Sequence, residues 1–126
     1  MGSEMCIRDR YLLSYWARDR AVKNRTSIPV ERAVQMLTAD GADYLGLSDR
    51  GRIEVGKKAD INIIDYDNLK LGVPRMVQDL PAGGQRLLQP VSGYQAVIVS
   101  GEIVVLNDEL LDARPGKLVR AGQSAF

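Results

Sequence analysis

The sequence predicts an α/β fold, with helices in the first third of the chain and short strands in the remainder. From Tyr11 to about Leu47, apolar residues recur at the spacing of a buried helix face. From Gly51 onward, β-branched runs alternate with glycine turns. The strands carry more apolar side chains than so few strands can cover, so we expect the fold to be incomplete.

Three helical segments are predicted in the N-terminal part. The first apolar stripe consists of Leu12, Tyr15 and Trp16. The second follows the i, i+3, i+4, i+7 pattern at Val30, Ala33, Val34 and Leu37. Pro29 suits the first turn of this second helix. Thr38 is expected to cap a shorter third helix that stops at a left-handed Gly46.

The C-terminal part predicts strands and turns. "RIEV", residues 52–55, reads as a short strand, and "ADINIIDY", residues 59–66, as a longer strand buried on both faces. "YQAVIVSGEIVVLND", residues 94–108, predicts a hairpin with Ser100-Gly101 as its two-residue turn. Residues 71–86, with two prolines and a glycine pair, are expected to form a long irregular excursion. The last residues, from Ala113, predict a turn and a polar end.

The charge balance excludes some classes of partner. Seventeen Lys and Arg against 16 Asp and Glu give a net charge of +1, so neither nucleic acid nor an anionic membrane is an expected partner. The longest apolar runs have about four residues, too few to span a bilayer, and Met1 to Arg10 shows no secretory pattern. A single cysteine, Cys6, excludes an internal disulfide and fits a reducing compartment. The sequence therefore predicts a cytoplasmic protein.

The acidic residues are interpreted as structural. Asp60 lies at the predicted entry to a strand, and Asp40, Asp43 and Asp49 surround a helix and turn, where carboxylates commonly cap or solvate the backbone. The alternative for Asp60 is a catalytic acid. Cys6 has no histidine partner anywhere in the chain, which excludes a Cys–His nucleophile.

The remaining candidates are also interpreted as structural. We expect Arg18, Asp19 and Arg20 to form an exposed or subunit-facing ion network rather than a substrate clamp. Gly83-Gly84, followed by Gln85 and Arg86, is expected to be a positional loop rather than an anion site, because no helix follows it. Lys57-Lys58 is interpreted as a solvated turn, and Tyr15 with Trp16 as packing.

Several motifs carry a family resemblance. "ERAVQMLTADGADYLGLSDRGRIEVGKKADINIID", residues 31–65, resembles the C-terminal passage of the amidohydrolase superfamily. "YWARDR", "DLPAGGQRLLQ", "GYQAVIVSGEIVV" and "ARPGKLVR" resemble the narrower N-acyl-D-amino-acid deacylase (D-aminoacylase) branch, amidohydrolase family 3. The resemblance covers about Tyr11 to Gly122.

The resemblance implies a domain organisation. Residues 11–50 would be the last helices of a TIM-type barrel, and residues 51–122 the C-terminal part of a small composite β-sandwich. Residues 1–10 match nothing in the family and resemble a translated sequencing adapter, so we expect an artefact of gene assembly; the alternative is a native start that has drifted. Residues 123–126 would be a tail.

The resemblance also implies a function for a complete enzyme. Such enzymes hydrolyse the amide of an N-acyl-D-amino acid, a small-molecule substrate, with a zinc ion that activates water and an aspartate that moves the proton. No catalytic, cofactor-binding or metal-binding residue carries over to this chain, which has no histidine. We therefore expect the chain alone to be inactive. The alternatives are the tail of a deaminase or cyclic amidase, and a non-catalytic β interaction module. The oligomeric state is left open.

A further expectation concerns the polypeptide by itself. The resemblance implies that strands from elsewhere complete the sandwich. The strand at Ile61 to Ile64 and the hairpin at Ala96 to Leu106 should then expose apolar faces and unpaired edges.

Overall fold

The structure is a computed structural model that describes residues 10–119. Its helices are α1 (Leu12–Asp19, continued by a short α-helical stretch at Arg20–Val22), α2 (Val30–Leu37) and α3 (Ala39–Tyr44). Its strands are β1 (Ile61–Ile64), β2 (Lys70–Leu71), β3 (Arg75–Leu80), β4 (Gly84–Leu88), β5 (Val91–Ser92), β6 (Tyr94–Val99), β7 (Glu102–Leu106) and β8 (Glu109–Leu110). Helices thus precede strands, and the predicted mixed class is confirmed.

All three predicted helical segments are present. Helix α1 is a π-helix rather than an α-helix: the Arg20 N–H, for example, donates to the carbonyl oxygen of Tyr15, five residues earlier. In α2, Ala33 is fully buried, as the apolar stripe predicts. Gly46 has φ +67° and ends the third segment in the left-handed conformation, as predicted.

Two details of the predicted helix ends are wrong. Pro29 precedes α2 with an extended backbone (φ −53°, ψ 139°) and does not lie in its first turn. Thr38 stands just before α3, but its hydroxyl donates back to the carbonyl oxygen of Val34 at 2.8 Å and so satisfies the end of α2. The Thr38 side chain makes no capping hydrogen bond to α3, so the predicted cap is absent.

The main sheet has four antiparallel strands in the order β1-β6-β7-β8. The predicted hairpin is confirmed: Val99 faces Glu102, and Ser100 (φ +53°) and Gly101 (φ +84°) form the turn. Positive φ at both central residues matches the right-handed twist of the flanking strands. Strand β1 pairs with the other side of β6, with Ile61 opposite Ile98.

Two expectations for residues 51–66 are wrong. Residues 52–55 form no strand, and Ile53 and Val55 are exposed. No strand in residues 10–119 pairs with this segment. It is held instead by the ion pair of Arg52 with Asp43 and by a turn in which the Lys57 N–H donates to the carbonyl oxygen of Glu54. Strand β1 is also not buried on both faces, because Ile63 is 45% exposed.

The excursion at residues 71–86 is more regular than expected. Strands β3 and β4 form an antiparallel hairpin, with Met76 opposite Leu87. Pro74 precedes β3 and Pro81 opens the turn, so neither missing N–H interrupts the ladder. A third, two-stranded sheet pairs β2 with β5.

The core lies where the helices meet the loop after β1. Leu13 and Ala17 of α1, Ala33 of α2 and Leu69 are buried together. Ile64, Tyr66 and Tyr94 are among the half-buried side chains packed against this cluster. No helix in residues 10–119 is long and apolar enough to cross a membrane. The barrel and sandwich assignments, and the boundaries at residues 11–50 and 51–122, stay predictions.

Candidate functional site

Arg18 is the polar centre of the junction between helices and strands. Its Nη1 donates to the carbonyl oxygens of Tyr66 at 2.6 Å, Asp67 at 3.1 Å and Leu69 at 2.9 Å. Its Nε donates to Asp19 at 2.8 Å, and the side chain is only 18% exposed. Arg18 therefore fastens α1 to the loop after β1, and the expected exposure of this residue is wrong.

Arg20 has a local structural role. Its Nε donates to the carbonyl oxygen of Thr26 at 2.6 Å, and its guanidinium lies 4.7 Å from the centre of the Trp16 ring. Trp16 in turn meets Tyr15 edge to face at 5.6 Å, and Tyr15 stacks on Tyr11 at 4.8 Å. These contacts stabilise α1 and the segment that follows it. The guanidinium of Arg20 is engaged in them and does not form a clamp for a substrate.

Asp60 ties the entry of β1 to the neighbouring hairpin turn. Its Oδ1 accepts the backbone N–H of Ser100 at 2.8 Å, and its Oδ2 accepts Arg50 Nη1 at 3.2 Å. The Gly101 N–H donates to the carbonyl oxygen of Ala59 at 3.0 Å beside it. With both oxygens engaged in the fold, Asp60 is placed as a structural carboxylate rather than a catalytic acid.

The other acidic candidates are each paired with an arginine. Asp49 accepts two bonds from Arg50, both at 3.0 Å, and this hydrogen bonding lowers the pKa of Asp49. Asp43 binds Arg52 in a two-bond pair at 2.8 and 2.6 Å, which likewise lowers the pKa of Asp43. A general acid at neutral pH needs the opposite shift.

Asp40 is paired with a different arginine. Its carboxylate accepts a bond from Arg32 at 2.7 Å across the turn that joins α2 to α3. Asp40, Asp43 and Asp49 are therefore not brought together into one site.

Gly83 and Gly84 form the tip of the β3–β4 hairpin. Ala82 (φ +58°) and Gly83 (φ +73°) turn the chain, and Gln78 Nε2 donates to the carbonyl oxygen of Gly83 at 3.0 Å. Arg86 pairs with Asp79 across the hairpin at 2.7 and 2.6 Å, which lowers the pKa of Asp79. The charge of Arg86 is thus already balanced at this tip.

Sequence reasoning missed two carboxylates that shape turns. Asp108 accepts the backbone N–H groups of Gly93 at 3.0 Å and Tyr94 at 2.7 Å. Asp65 accepts the N–H and the side-chain amide of Asn68, which lowers the pKa of Asp65. The signal for Asp108 was the Asn-Asp pair between two apolar runs, which is typical of a tight hairpin turn.

The donor set of this chain does not fit a zinc site. Zinc is held by histidine, cysteine and carboxylate ligands converging on one point. The sequence has no histidine. Within residues 10–119, no three residues of the types His, Cys, Asp and Glu come together. Cys6 lies outside the described residues.

Comparison with known families identifies the class of protein. The amidohydrolase family matches residues 7–105, which is most of the chain. The chain belongs to the amidohydrolase family. The resemblance at the superfamily level is thereby confirmed, whereas the narrower deacylase branch stays a prediction.

Curated relatives carry two kinds of name. The chain is 36% identical over 106 residues to a 5'-deoxyadenosine deaminase of Methanobrevibacter smithii, covering 82% of this chain and 23% of that protein. It is 38% identical over 92 residues to a 5-methylthioadenosine/S-adenosylhomocysteine deaminase of Halalkalibacterium halodurans, covering 71% and 20%. It is 31% identical over 105 residues to an N-acyl-D-glutamate deacylase of Alcaligenes xylosoxydans xylosoxydans, covering 83% and 20%.

The chain thus spans about a fifth of the length of these relatives. No solved structure matches it.

Proposed function

We propose that this chain is part of a longer metal-dependent amidohydrolase that hydrolyses a carbon–nitrogen bond other than a peptide bond. The observation that carries the proposal is the match of the amidohydrolase family over residues 7–105. Deamination and deacylation both replace a carbon–nitrogen bond by a carbon–oxygen bond from water. The names of the relatives therefore support the reaction class whichever substrate applies.

The first candidate substrate is an N-acyl-D-amino acid. The support is the N-acyl-D-glutamate deacylase match over 83% of this chain, together with the motifs around Gly83-Gly84 and the hairpin at residues 94–108. In this proposal the zinc ion and its ligands belong to other parts of the enzyme, because the donor set here does not fit zinc.

The second candidate is deamination of an adenosine-type nucleoside. It is favoured by the names of the M. smithii and H. halodurans relatives, whose identities of 36% and 38% exceed the 31% of the deacylase. The two candidates release different products: a D-amino acid and a carboxylate in one case, ammonia and an inosine-type nucleoside in the other.

The contribution of this chain is a scaffold. Arg18 fastens the helices to the loop after β1, and Asp60 fastens β1 to the hairpin turn. A rigid scaffold of this kind holds catalytic loops of a larger enzyme in place. The chain itself supplies no group that acts on the substrate in this proposal.

The test is an assay of the longest reading frame that contains this chain. Purified protein is incubated with N-acetyl-D-glutamate and, separately, with 5'-deoxyadenosine, with and without a zinc chelator. We expect chelator-sensitive release of D-glutamate; release of ammonia instead would select the deaminase. If neither substrate is hydrolysed, and a panel of other amides and aminopurines also fails, the proposed reaction class is wrong.

A further inference from the structure

A basic groove lies at the turn end of the main sheet, away from the junction around Arg18. It has a volume of about 470 Å³. Its walls are the segment before β1, the β6–β7 turn and the C-terminal segment, contributed by Gly56, Lys57, Lys58, Ala59, Ser100, Glu102, Pro115 and Lys117.

Positive charge is concentrated in this groove. Among the described residues, three lysines and one glutamate line it, and one of these lysines, Lys57, forms an ion pair with Glu54 at 3.9 Å; the whole chain has a net charge of only +1. Ammonium groups that share a concave surface raise the local concentration of anions.

Donors in the groove remain available for a ligand. The Nζ of Lys57 is already engaged, with the carbonyl oxygen of Ser48 at 2.5 Å. For Lys58, Lys117 and the Ser100 hydroxyl, the described part of the chain provides no hydrogen bond or ion pair, although the charge of Lys58 helps to lower the pKa of the Asp49 carboxyl. Two ammonium groups and one hydroxyl can therefore donate to a ligand.

The walls of the groove are held by bonds outside it. The Ser100 N–H is fixed by Asp60 at 2.8 Å. The Lys58 N–H donates to the carbonyl oxygen of Asp49 at 2.8 Å, and the Gly101 N–H to that of Ala59 at 3.0 Å. Because the backbone is already ordered, a ligand pays little to organise the site.

We propose that this groove binds an oxyanion of the phosphate class through Lys58, Lys117 and Ser100. Lysine is a common phosphate ligand as a point charge, and three separate donors suit the several oxygens of a tetrahedral anion. Within residues 10–119, the lining contains no aromatic ring on which a base could stack. The ligand is therefore recognised by its phosphate group. This inference is independent of the proposed hydrolase activity.

The experiment is a titration of the 126-residue chain with inorganic phosphate, at an ionic strength held constant with sodium chloride. Amide chemical shifts of Lys58 and Ser100 are followed. We expect saturable shifts at both residues. A parallel titration with glycerol 3-phosphate separates free phosphate from a phosphomonoester, and the tighter of the two identifies the source.

A matched pair of variants tests the site. Lys58→Gln with Lys117→Gln should weaken phosphate binding on the order of tenfold, since two charged donors are lost. Lys23→Gln with Lys70→Gln removes the same charge outside the groove and should leave binding nearly unchanged. A measurement without variants is protection from acylation: phosphate should shield Lys58 and Lys117 more than Lys23 and Lys70. Shifts that chloride alone reproduces, equal effects of the two variant pairs, or equal protection of all four lysines would each overturn the proposal.

Discussion

At the scale of single residues, one guanidinium makes several polar contacts between α1 and the loop after β1. Arg18 donates to three backbone carbonyl oxygens while its own side chain is mostly covered. The bonds to Tyr66 and Leu69 are part-buried, whereas the bond to Asp67 is exposed. Removing the donor is most costly at the two part-buried acceptors, which water reaches less readily.

Arg18→Met should loosen the loop at residues 66–69. We expect a loss of about 2 kcal/mol in local stability, or roughly 30-fold faster amide hydrogen exchange there. Arg25→Met is the control, since Arg25 is exposed and its side chain makes no hydrogen bond in residues 10–119. If both variants exchange alike, Arg18 does not hold the junction.

Acid should weaken the segment before β1. Hydrogen bonds from Arg50 and Arg52 lower the pKa values of Asp49 and Asp43 below their ordinary 3.8. A carboxyl with a lowered folded pKa adds stability above its unfolded pKa, and this stability is lost as the pH falls through the folded pKa. We therefore expect little change from pH 7 to about pH 5, and loss below about pH 4.

Asp49→Asn gives the matched measurement. Its urea midpoint should differ less between pH 6 and pH 2.5 than that of the unsubstituted chain, because the titrating carboxyl is gone. Asp112→Asn, an exposed carboxylate outside this network, should retain the full difference. An unchanged pH dependence in Asp49→Asn would contradict the assignment.

At the scale of elements, two glycines with positive φ serve different purposes. Gly101 (φ +84°) lies in open space, so only its backbone conformation requires glycine. Gly93 (φ +110°) also approaches another segment: an added Cβ would lie 2.9 Å from Leu69 Cα. Leu69 is fully buried, so its backbone has little room to move.

The alanine variants should therefore rank in a fixed order. Gly101→Ala should cost about 1 kcal/mol, from the left-handed backbone alone. Gly93→Ala should cost about 3 kcal/mol, because overpacking adds to the same strain. Gly116→Ala, at a position without positive φ or near neighbours, is the control and should be close to neutral. Urea midpoints measure the series, and equal costs at positions 93 and 101 would refute the close approach.

Local patterns predicted some elements and failed for others. The spacing of Val30, Ala33, Val34 and Leu37 and the Ser100-Gly101 turn are local signals, and both elements are present, although Val34 is 45% exposed and not part of a buried face. The sequence pattern does not predict the β3–β4 hairpin, because prolines argue against strands; in the structure both prolines lie outside the ladder. The exposure of Ile53 depends on which strand is available to pair, and no nearby residue carries that information.

The candidate site likewise contains one residue whose role the sequence indicates and one whose role it does not. Asp60 at a strand entry could be interpreted as structural from its position, but its bonds to Ser100 and Arg50 join residues distant in sequence. Arg18 could not be identified as a junction, because its three acceptors lie about fifty residues further along the chain.

At the scale of the whole molecule, one face of the main sheet is only partly covered: Ala96 on this face is buried, whereas several of its neighbours are exposed. The register places Ile61, Ile98 and Ile103 in one row and Ile63, Ala96 and Leu106 in the next, on the same face. Of these, Ile63, Ile103 and Leu106 are each more than 40% exposed. The expected exposure of apolar strand residues is thus present among the described residues.

This face should bind a hydrophobic dye and favour self-association. Ile103→Thr with Leu106→Thr introduces a polar side chain at both positions while placing a β-branched residue suited to a strand at each. The double variant should lower dye fluorescence and aggregation. Leu118→Thr removes an even more exposed apolar side chain, outside the sheet, and is the control. Equal effects of the two variants would mean that the sheet face is not the surface responsible for dye binding and self-association.

For the molecule as a whole, we propose that this chain is a scaffold within a longer carbon–nitrogen hydrolase and supplies none of the reacting groups. The most direct measurement is turnover of N-acetyl-D-glutamate and 5'-deoxyadenosine by the purified 126-residue chain supplied with zinc. We predict no hydrolysis above the rate without protein. Saturable, zinc-dependent release of D-glutamate or ammonia would show that this chain carries the reacting groups and is not only a scaffold.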